Sequence, residues 1–218
     1  MSRARPAARP PVPPAGAVRI IGGRWRGSRL EVPAVAGLRP SPDRVRETLF
    51  NWLQGDVAGA RCLDLFAGSG ALGFEAASRG AAEVVMIERD PRALAALGAA
   101  RERLGADRVE LVAGDALAWL ARDADRAFDV VFVDPPFSAG LHGPVLDALG
   151  PWLSPAARVY VEDARSEAVH DFPGFTPHRQ GETRDTRYVL FARRKDASAL
   201  DAPVTLATSI GDQTPEAT

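Results

Sequence analysis

The sequence predicts an α/β protein built on a mostly parallel sheet with helices on both faces. Three observations carry that expectation. From about residue 60, short apolar runs alternate with helical stretches. The runs are nearly continuous in Val, Ile, Leu and Phe, as strands buried on both faces are. Turn-forming residues close each run, leaving room for a helix to cross between parallel neighbours. With 218 residues, the chain is long enough to bury one sizeable core.

The elements follow in order. Residues 1–17 are rich in Pro, Ala and Arg and are expected to form a disordered basic arm. The stretch "VRIIGGRWRGSRLEVP" (18–33) reads as two short strands around Gly22 and Gly23, a hairpin. In "LRPSPDRVRETLFNWL", Ser41 suits a helix N-cap and Pro42 the first helical position. Val45, Leu49, Trp52 and Leu53 then share one face, with Arg44 and Glu47 opposite. Hairpin and helix make an expected unit over 18–54, ahead of a core over 55–195. Core strands are predicted at 61–66, 83–88, 108–112, 129–134 and 157–162, with helices near 71–79, 91–104, 115–122 and 142–150. Segments near 174–180 and 186–193 are expected to close the sheet as an antiparallel pair. Residues 196–218 read as a disordered tail.

Composition narrows the function classes. The chain is 46% hydrophobic and 25% charged, ordinary for a globular protein. No apolar run nears the ~18 residues of a membrane span, and the N-terminus lacks the apolar block of a secretory signal. A cytoplasmic protein with no membrane association is the expectation. A single cysteine and three histidines exclude a disulfide framework and argue against a metal site, so no metal is expected. Cys62 reads as a buried apolar thiol. His142, His170 and His178 show no partner in the sequence and are assigned no role. The net charge of −1 conceals an asymmetry: Arg3, Arg5, Arg9, Arg19, Arg24, Arg26 and Arg29 fall in the first thirty residues, which contain no acid. A basic arm of this kind suits a polyanion.

Two motifs carry chemistry. "LDLFAGSGALGFEA" (63–76) passes from strand to helix through a glycine loop, Phe66-Ala67-Gly68-Ser69-Gly70, and Gly68, Gly70 and Gly73 match G-x-G-x-x-G. Such a loop lets backbone N–H groups approach a ligand closely, and it fits a dinucleotide or nucleoside site. Asp64 precedes the loop, where a pyrophosphate would be repelled but the cationic amino-acid end of S-adenosylmethionine (SAM) would be welcome. Glu88 closes the second strand, placed for two ribose hydroxyls. Asp115, followed by Ala116, lies after the third, placed for the adenine amine. Singly, Glu88 and Asp115 would be unremarkable strand-end acids. A nicotinamide cofactor also uses an acid at the Glu88 position, so a dehydrogenase is the competing class.

The second motif, "VVFVDPPF" (130–137), separates the two classes. Proline after Asp134 fixes the backbone and aims the Pro135 carbonyl. The Asp134 carboxylate and that carbonyl make two fixed acceptors, matched to the two N–H donors of a planar exocyclic amine. Holding both orients the nitrogen and supports the positive charge it acquires on attacking a methyl group. Pro136 stiffens the turn, and Phe137 offers a stacking face. A dehydrogenase gives no reason for this motif, and a silent RNA-binding module gives none for Asp64 and Glu88.

On these residues the chain resembles the Asp/Asn-Pro-Pro-aromatic SAM-dependent amino methyltransferases. More narrowly, it resembles the bacterial 16S ribosomal RNA guanine-966 N2-methyltransferase family. "RIIGGRWRGSRLEVP", "GLRPSPDRVRETLFNWL", "CLDLFAGSGALGFEAASRGA" and "VFVDPPF" carry the resemblance, from about Val18 to Arg193. It implies a Rossmann-like class I methyltransferase fold with seven strands, and methylation of one guanine N2 in small-subunit ribosomal RNA on a partly assembled 30S particle. It implies that Arg19, Arg24, Trp25, Arg26 and Arg29 hold RNA. Through "RPSPDRVRE" it places Arg39, Ser41, Asp43 and Arg46 beside the cofactor. Ser41-Pro42 departs from the Thr-Thr common there, and "RQGETRDTRY" departs from the glycine- and lysine-containing turn expected before the last strand. Adenine N6 or another guanine are the competing substrates, and a monomer is the expected state.

Overall fold

A computed structural model describes residues 16–35 and 41–194. The expected arm and tail, and Arg39, therefore lie wholly or mostly outside the described residues. Strands β1 (Gly16–Arg19) and β2 (Arg29–Val32) pair antiparallel, as the hairpin reading expects. The loop between them is latched onto the core rather than free. Arg24 N–H donates to the Ser78 carbonyl at 2.7 Å, and Gly23, at φ +74°, lies so close that a Cβ there would collide with that carbonyl. Only glycine tolerates both the left-handed backbone and the approach.

Helix α1 (Asp43–Trp52) starts one residue later than Ser41 and Pro42 suggest. Pro42 occupies the N-cap position and no side chain caps the helix. Val45, Leu49 and Leu53 are buried as the periodicity requires, and Phe50 joins them. Trp52 is half-buried against Tyr188, its ring centroid 5.4 Å away.

The core elements are β3 (Arg61–Asp64), α2 (Ala71–Ser78), β4 (Glu83–Glu88), α3 (Pro91–Leu104), β5 (Val109–Ala113), α4 (Ala116–Leu120), β6 (Phe128–Val133), α5 (His142–Leu149), β7 (Leu153–Ala164), β8 (Phe175–Glu182) and β9 (Thr186–Arg193). One seven-stranded sheet runs β5-β4-β3-β6-β7-β9-β8, with β9 antiparallel to both neighbours. This is the Rossmann-like class I methyltransferase fold. The α3 start reflects local chemistry: Asp90 accepts from the backbone N–H groups of Arg92 and Ala93, and Pro91 stands in the first turn.

Strand alternation splits the apolar residues into two layers. Cys62, Val84, Val130 and Phe132 face α1, α2, α3 and the hairpin, meeting Leu30, Leu49, Phe50, Phe74 and Leu97. Leu63, Val85, Val131 and Val159 face α4 and α5, meeting Trp119, Leu146 and Trp152. Each such side chain, taken from water, contributes roughly 1.5–3 kcal/mol. Burial pushes the Cys62 thiol up to about 12, so it is an inert apolar group. Among the described residues, no helix is long and apolar enough to cross a membrane.

The topology determines where a ligand fits. From β3 the chain moves out to β4 and β5, then returns to β6 on the other side. The crossovers diverge there, opening a crevice at the carboxyl ends of β3 and β6.

Candidate active site

A cavity of about 560 Å³ occupies that crevice. Asp64, Gly68, Glu88, Asp115, Asp134 and Glu162 all reach its wall, although they come from five strands or strand ends. Sequence reading named five of the six. Phe66, Ala67, Ser69, Ala116 and Ser41 also line it, as do Pro135, Pro136 and Phe137, whereas Gly70, expected at the cofactor, faces Phe74 and Leu97 and does not reach the wall.

Asp64 ends β3 and is only 2% exposed. It accepts the Gly73 backbone N–H at 3.0 Å. Burial outweighs that bond and pushes its carboxyl up to about 7, with the Glu88 charge adding to the rise. A buried carboxyl poised this way gains most when a cation arrives. The loop that follows turns through Gly68 at φ +53° and Gly70 at φ +77°. A side chain at Gly70 would run into Phe74 and Leu97, so the loop packs flush onto α2 and α3.

Glu88 ends β4 and accepts Gly68 N–H at 2.8 Å through Oε2 and Asp90 N–H at 2.7 Å through Oε1. Each oxygen keeps further acceptor capacity for a ligand hydroxyl. Asp115 has a second job that the sequence reading did not assign. Its Oδ1 caps α4 by accepting the Leu117 and Ala118 N–H groups at 2.9 and 3.1 Å.

Asp134 follows the last residue of β6. Pro135 is buried, and Pro136 leads into a 3₁₀ turn over Phe137–Ala139. Phe137 is 42% exposed at the cavity wall. Its ring offers a face on which a planar base can stack.

Ser41 corrects the helix-cap expectation. Its hydroxyl lies 2.8 Å from Glu162 Oε2 and 3.2 Å from Asp134 Oδ2, deep in the cavity wall. Tyr160 O–H donates to the same Glu162 oxygen at 2.8 Å. Glu162 is buried on β7 and went unnoticed in the sequence, where "VYVED" reads as an ordinary strand end. Only the pairing of β6 with β7, which sets Val133 against Val161, brings it beside Asp134.

The hairpin residues divide. Arg24, Arg26 and Arg29 are exposed. Arg19 is exposed too but bonds Asp43 Oδ2 at 2.7 Å. Trp25 is half-buried against the core, with the Arg24 guanidinium 5.9 Å from its ring centroid. Arg46 is fully buried. It donates to the Arg19 carbonyl and to Asp43, and so ties the hairpin to α1.

The histidines also need correcting. His142 Nε2 donates to the Glu162 carbonyl at 2.8 Å, and His170 Nε2 bonds Asp163 Oδ2 at 2.7 Å. Their rings stack 4.9 Å apart at an interplanar angle of 13°. Two near-parallel rings do not aim their in-plane lone pairs at one point. The trio, although close enough to surround an ion, is built as a hydrogen-bonded clasp.

Comparison with known proteins gives a consistent picture. A family model described as "Conserved hypothetical protein 95" matches residues 18–192. The ribosomal RNA small subunit methyltransferase D of Escherichia coli strain K12 is 42% identical over 181 residues, covering 82% of this chain and 91% of that protein. The Haemophilus influenzae protein of the same name is 39% identical, covering 81% and 94%. Among solved structures, the Escherichia coli methyltransferase yhhF superposes with a TM-score of 0.76 at 41% identity, covering 82% of this chain and 99% of that one. The Haemophilus influenzae methylase HI0767 gives 0.71 at 37%, with the same coverage. The chain therefore belongs to the family described as Conserved hypothetical protein 95, and with it to the family of the ribosomal RNA small subunit methyltransferases D.

Proposed function

We propose that this protein transfers a methyl group from SAM to the exocyclic N2 amine of one guanine in 16S ribosomal RNA, acting in the cytoplasm on an assembled or partly assembled 30S particle. The observation that carries this reading is the convergence of Asp134-Pro135-Pro136-Phe137 with Asp64 and Glu88 on one cavity. The names of the relatives support ribosomal RNA as the substrate class.

The residues fit SAM. The backbone of Ala67, Gly68 and Ser69 lines the cavity between Asp64 and Glu88, and the buried Asp64 carboxyl awaits a cation. When bound, SAM supplies a methyl on a positively charged sulfur, electrophilic enough that the amine needs no prior deprotonation. Asp64 receives the ammonium end. Glu88 accepts the ribose hydroxyls, and Asp115 with Ala116 contacts the adenine, while Phe66, Ala67, Gly68, Ser69 and Ser41 complete the walls. Asp134 and the Pro135 carbonyl accept the two N–H groups of the guanine amine and turn its lone pair toward the methyl. Phe137 stacks on the base, a contact worth roughly 1–3 kcal/mol. Arg19, Arg24, Trp25, Arg26 and Arg29 grip the RNA from the 18–54 unit, and the 55–195 core works as a monomer.

The test is mass mapping of modified nucleotides in 16S ribosomal RNA from a strain lacking the protein. Loss of a single N2-methylguanosine, restored by the purified protein and SAM on 30S particles, is expected. An unchanged map would overturn the assignment.

A further inference from the structure

Two carboxyls, Asp134 and Glu162, face one serine hydroxyl, and the hydrogens do not suffice for both as anions. Ser41 has a single hydrogen, and its shorter contact, 2.8 Å, is to Glu162 Oε2. That same oxygen also accepts the Tyr160 hydroxyl. With the serine hydrogen spent there, the 3.2 Å contact between Asp134 Oδ2 and Ser41 Oγ brings together two oxygens with no hydrogen between them. Two anions this close in a buried wall repel strongly. One further proton resolves both problems. The donors decide where it sits: Glu162 accepts from Tyr160 and Ser41, and among the described residues no other hydroxyl or N–H reaches the Asp134 carboxyl.

We propose that Glu162, acting through Ser41, is a positioning residue that keeps Asp134 protonated in the ligand-free cleft, so that a cationic methyl donor must expel this proton before Asp134 can accept the substrate amine. The inference rests on the SAM reading above. The groups facing Asp134 are consistent with it. Among the described residues they are Ser41 ahead of α1, Asp64 from β3, Tyr160 and Glu162 from β7 and, one residue further, Thr186 from β9, none of them a cation. Burial, then the Glu162 charge, raises the Asp134 carboxyl well above the usual range.

The arrangement makes the base self-timing. A sulfonium nearby favours the Asp134 anion, which then accepts the amine N–H. On transfer the N–C bond forms, the C–S bond breaks, and its electron pair stays on sulfur as a neutral thioether. The cation is now on the methylated nitrogen, and the charge that held Asp134 ionised is gone. The nitrogen's surplus proton passes to Asp134, which returns to its resting state as the cleft empties.

The binding arm of the test uses the full chain without RNA, and a turnover arm adds the RNA substrate. Calorimetric titration with SAM and with S-adenosylhomocysteine, in buffers of different ionisation enthalpy near neutral pH, counts protons released on binding. Both ligands carry the ammonium that meets Asp64, so only the sulfonium distinguishes them. SAM is expected to release more protons than S-adenosylhomocysteine, the difference approaching about one per site. The excess should vanish in Asp134→Asn and shrink in Glu162→Gln, where Asp134 is already ionised. Ser41→Ala, which keeps both carboxyls, gives a second variant should Glu162→Gln fold poorly, and should also alter the excess. In Glu162→Gln the acid limb of the kcat/KM–pH profile should move to lower pH by about one unit or more, a shift that a merely structural role would not produce. Equal proton release for the two ligands in the wild type, or an excess untouched by both variants, would overturn the proposal while leaving the methyltransferase reading intact. Absence of saturable SAM binding would overturn both.

Discussion

Arg46 and Glu75 face each other between α1 and α2, Nη1 to Oε2 at 3.8 Å, with both side chains completely buried. Glu75 also accepts the backbone N–H groups of Ile21 and Gly22 at 2.7 and 2.8 Å, and Arg79 Nε at 2.7 Å. One carboxylate thus joins two helices and the hairpin loop. Its contacts make it the clamp on the arginine-bearing hairpin.

Glu75→Ala should therefore destabilise the protein by about 3 kcal/mol, because two backbone amides and Arg79 lose their acceptor and the buried Arg46 guanidinium loses one of its two carboxylates. Denaturant unfolding measures the loss. Hydrogen exchange should show the loop over residues 20–28 opening before the sheet; uniform exchange across both would contradict the clamp.

Asp64 makes stability depend on pH. Its folded value, about 7, lies above its ordinary 3.8, so the native state holds a proton that the unfolded chain releases between those two values. Stability should fall as pH rises through that window, by a cost of order 4 kcal/mol if the whole shift is realised. Asp64→Asn keeps an acceptor for Gly73 and removes the charge. Its urea midpoint should exceed that of the wild type at pH 8 and approach it at pH 4.

Asp134→Ala and Glu88→Ala should fail in different ways. The first is expected to abolish methyl transfer while largely sparing SAM affinity. The second should weaken SAM binding by about tenfold or more, a loss of ~1.4 kcal/mol. Calorimetry on the folded variants separates them, and abolished SAM binding in Asp134→Ala would move Asp134 into the cofactor site.

Neutralising Arg24 and Arg26, both exposed, should weaken RNA binding and flatten its salt dependence. Each lost phosphate contact removes roughly 0.7–0.9 from the slope of log K against log salt. An unchanged slope would exclude the hairpin loop from the RNA interface.

Much of the fold was legible in the linear sequence because its signals are local. Continuous apolar runs mark strands covered on both faces, and the glycine loop marks a strand-to-helix turn wherever it occurs. Strand ends shifted by one to a few residues: β3 stops at Asp64, and β7 extends across Leu153–Ala164 where only 157–162 was expected. Asp64, Glu88, Asp115 and Asp134 were legible for a similar reason. Each closes or follows an apolar run, and carboxyl ends of parallel strands share one edge.

Other features became visible only once distant segments met. Ser41 reads locally as a helix cap, and a hydroxyl beside Pro42 has no other evident use. Folding carries it across to residues 93 and 121 positions away, where the half-buried Asp134 and the buried Glu162 compete for its single hydrogen. Glu162, Glu75 and the His142–His170 stack are alike in this: their partners lie on other elements, and no periodicity encodes a contact between elements. The sequence alone determined the sheet, its ligand edge and the acids along it, because strand pattern and chain direction are written residue by residue. Only the tertiary structure brought Glu162 beside Asp134 and set Glu75 against the arginine hairpin, because contact between elements depends on distance through space.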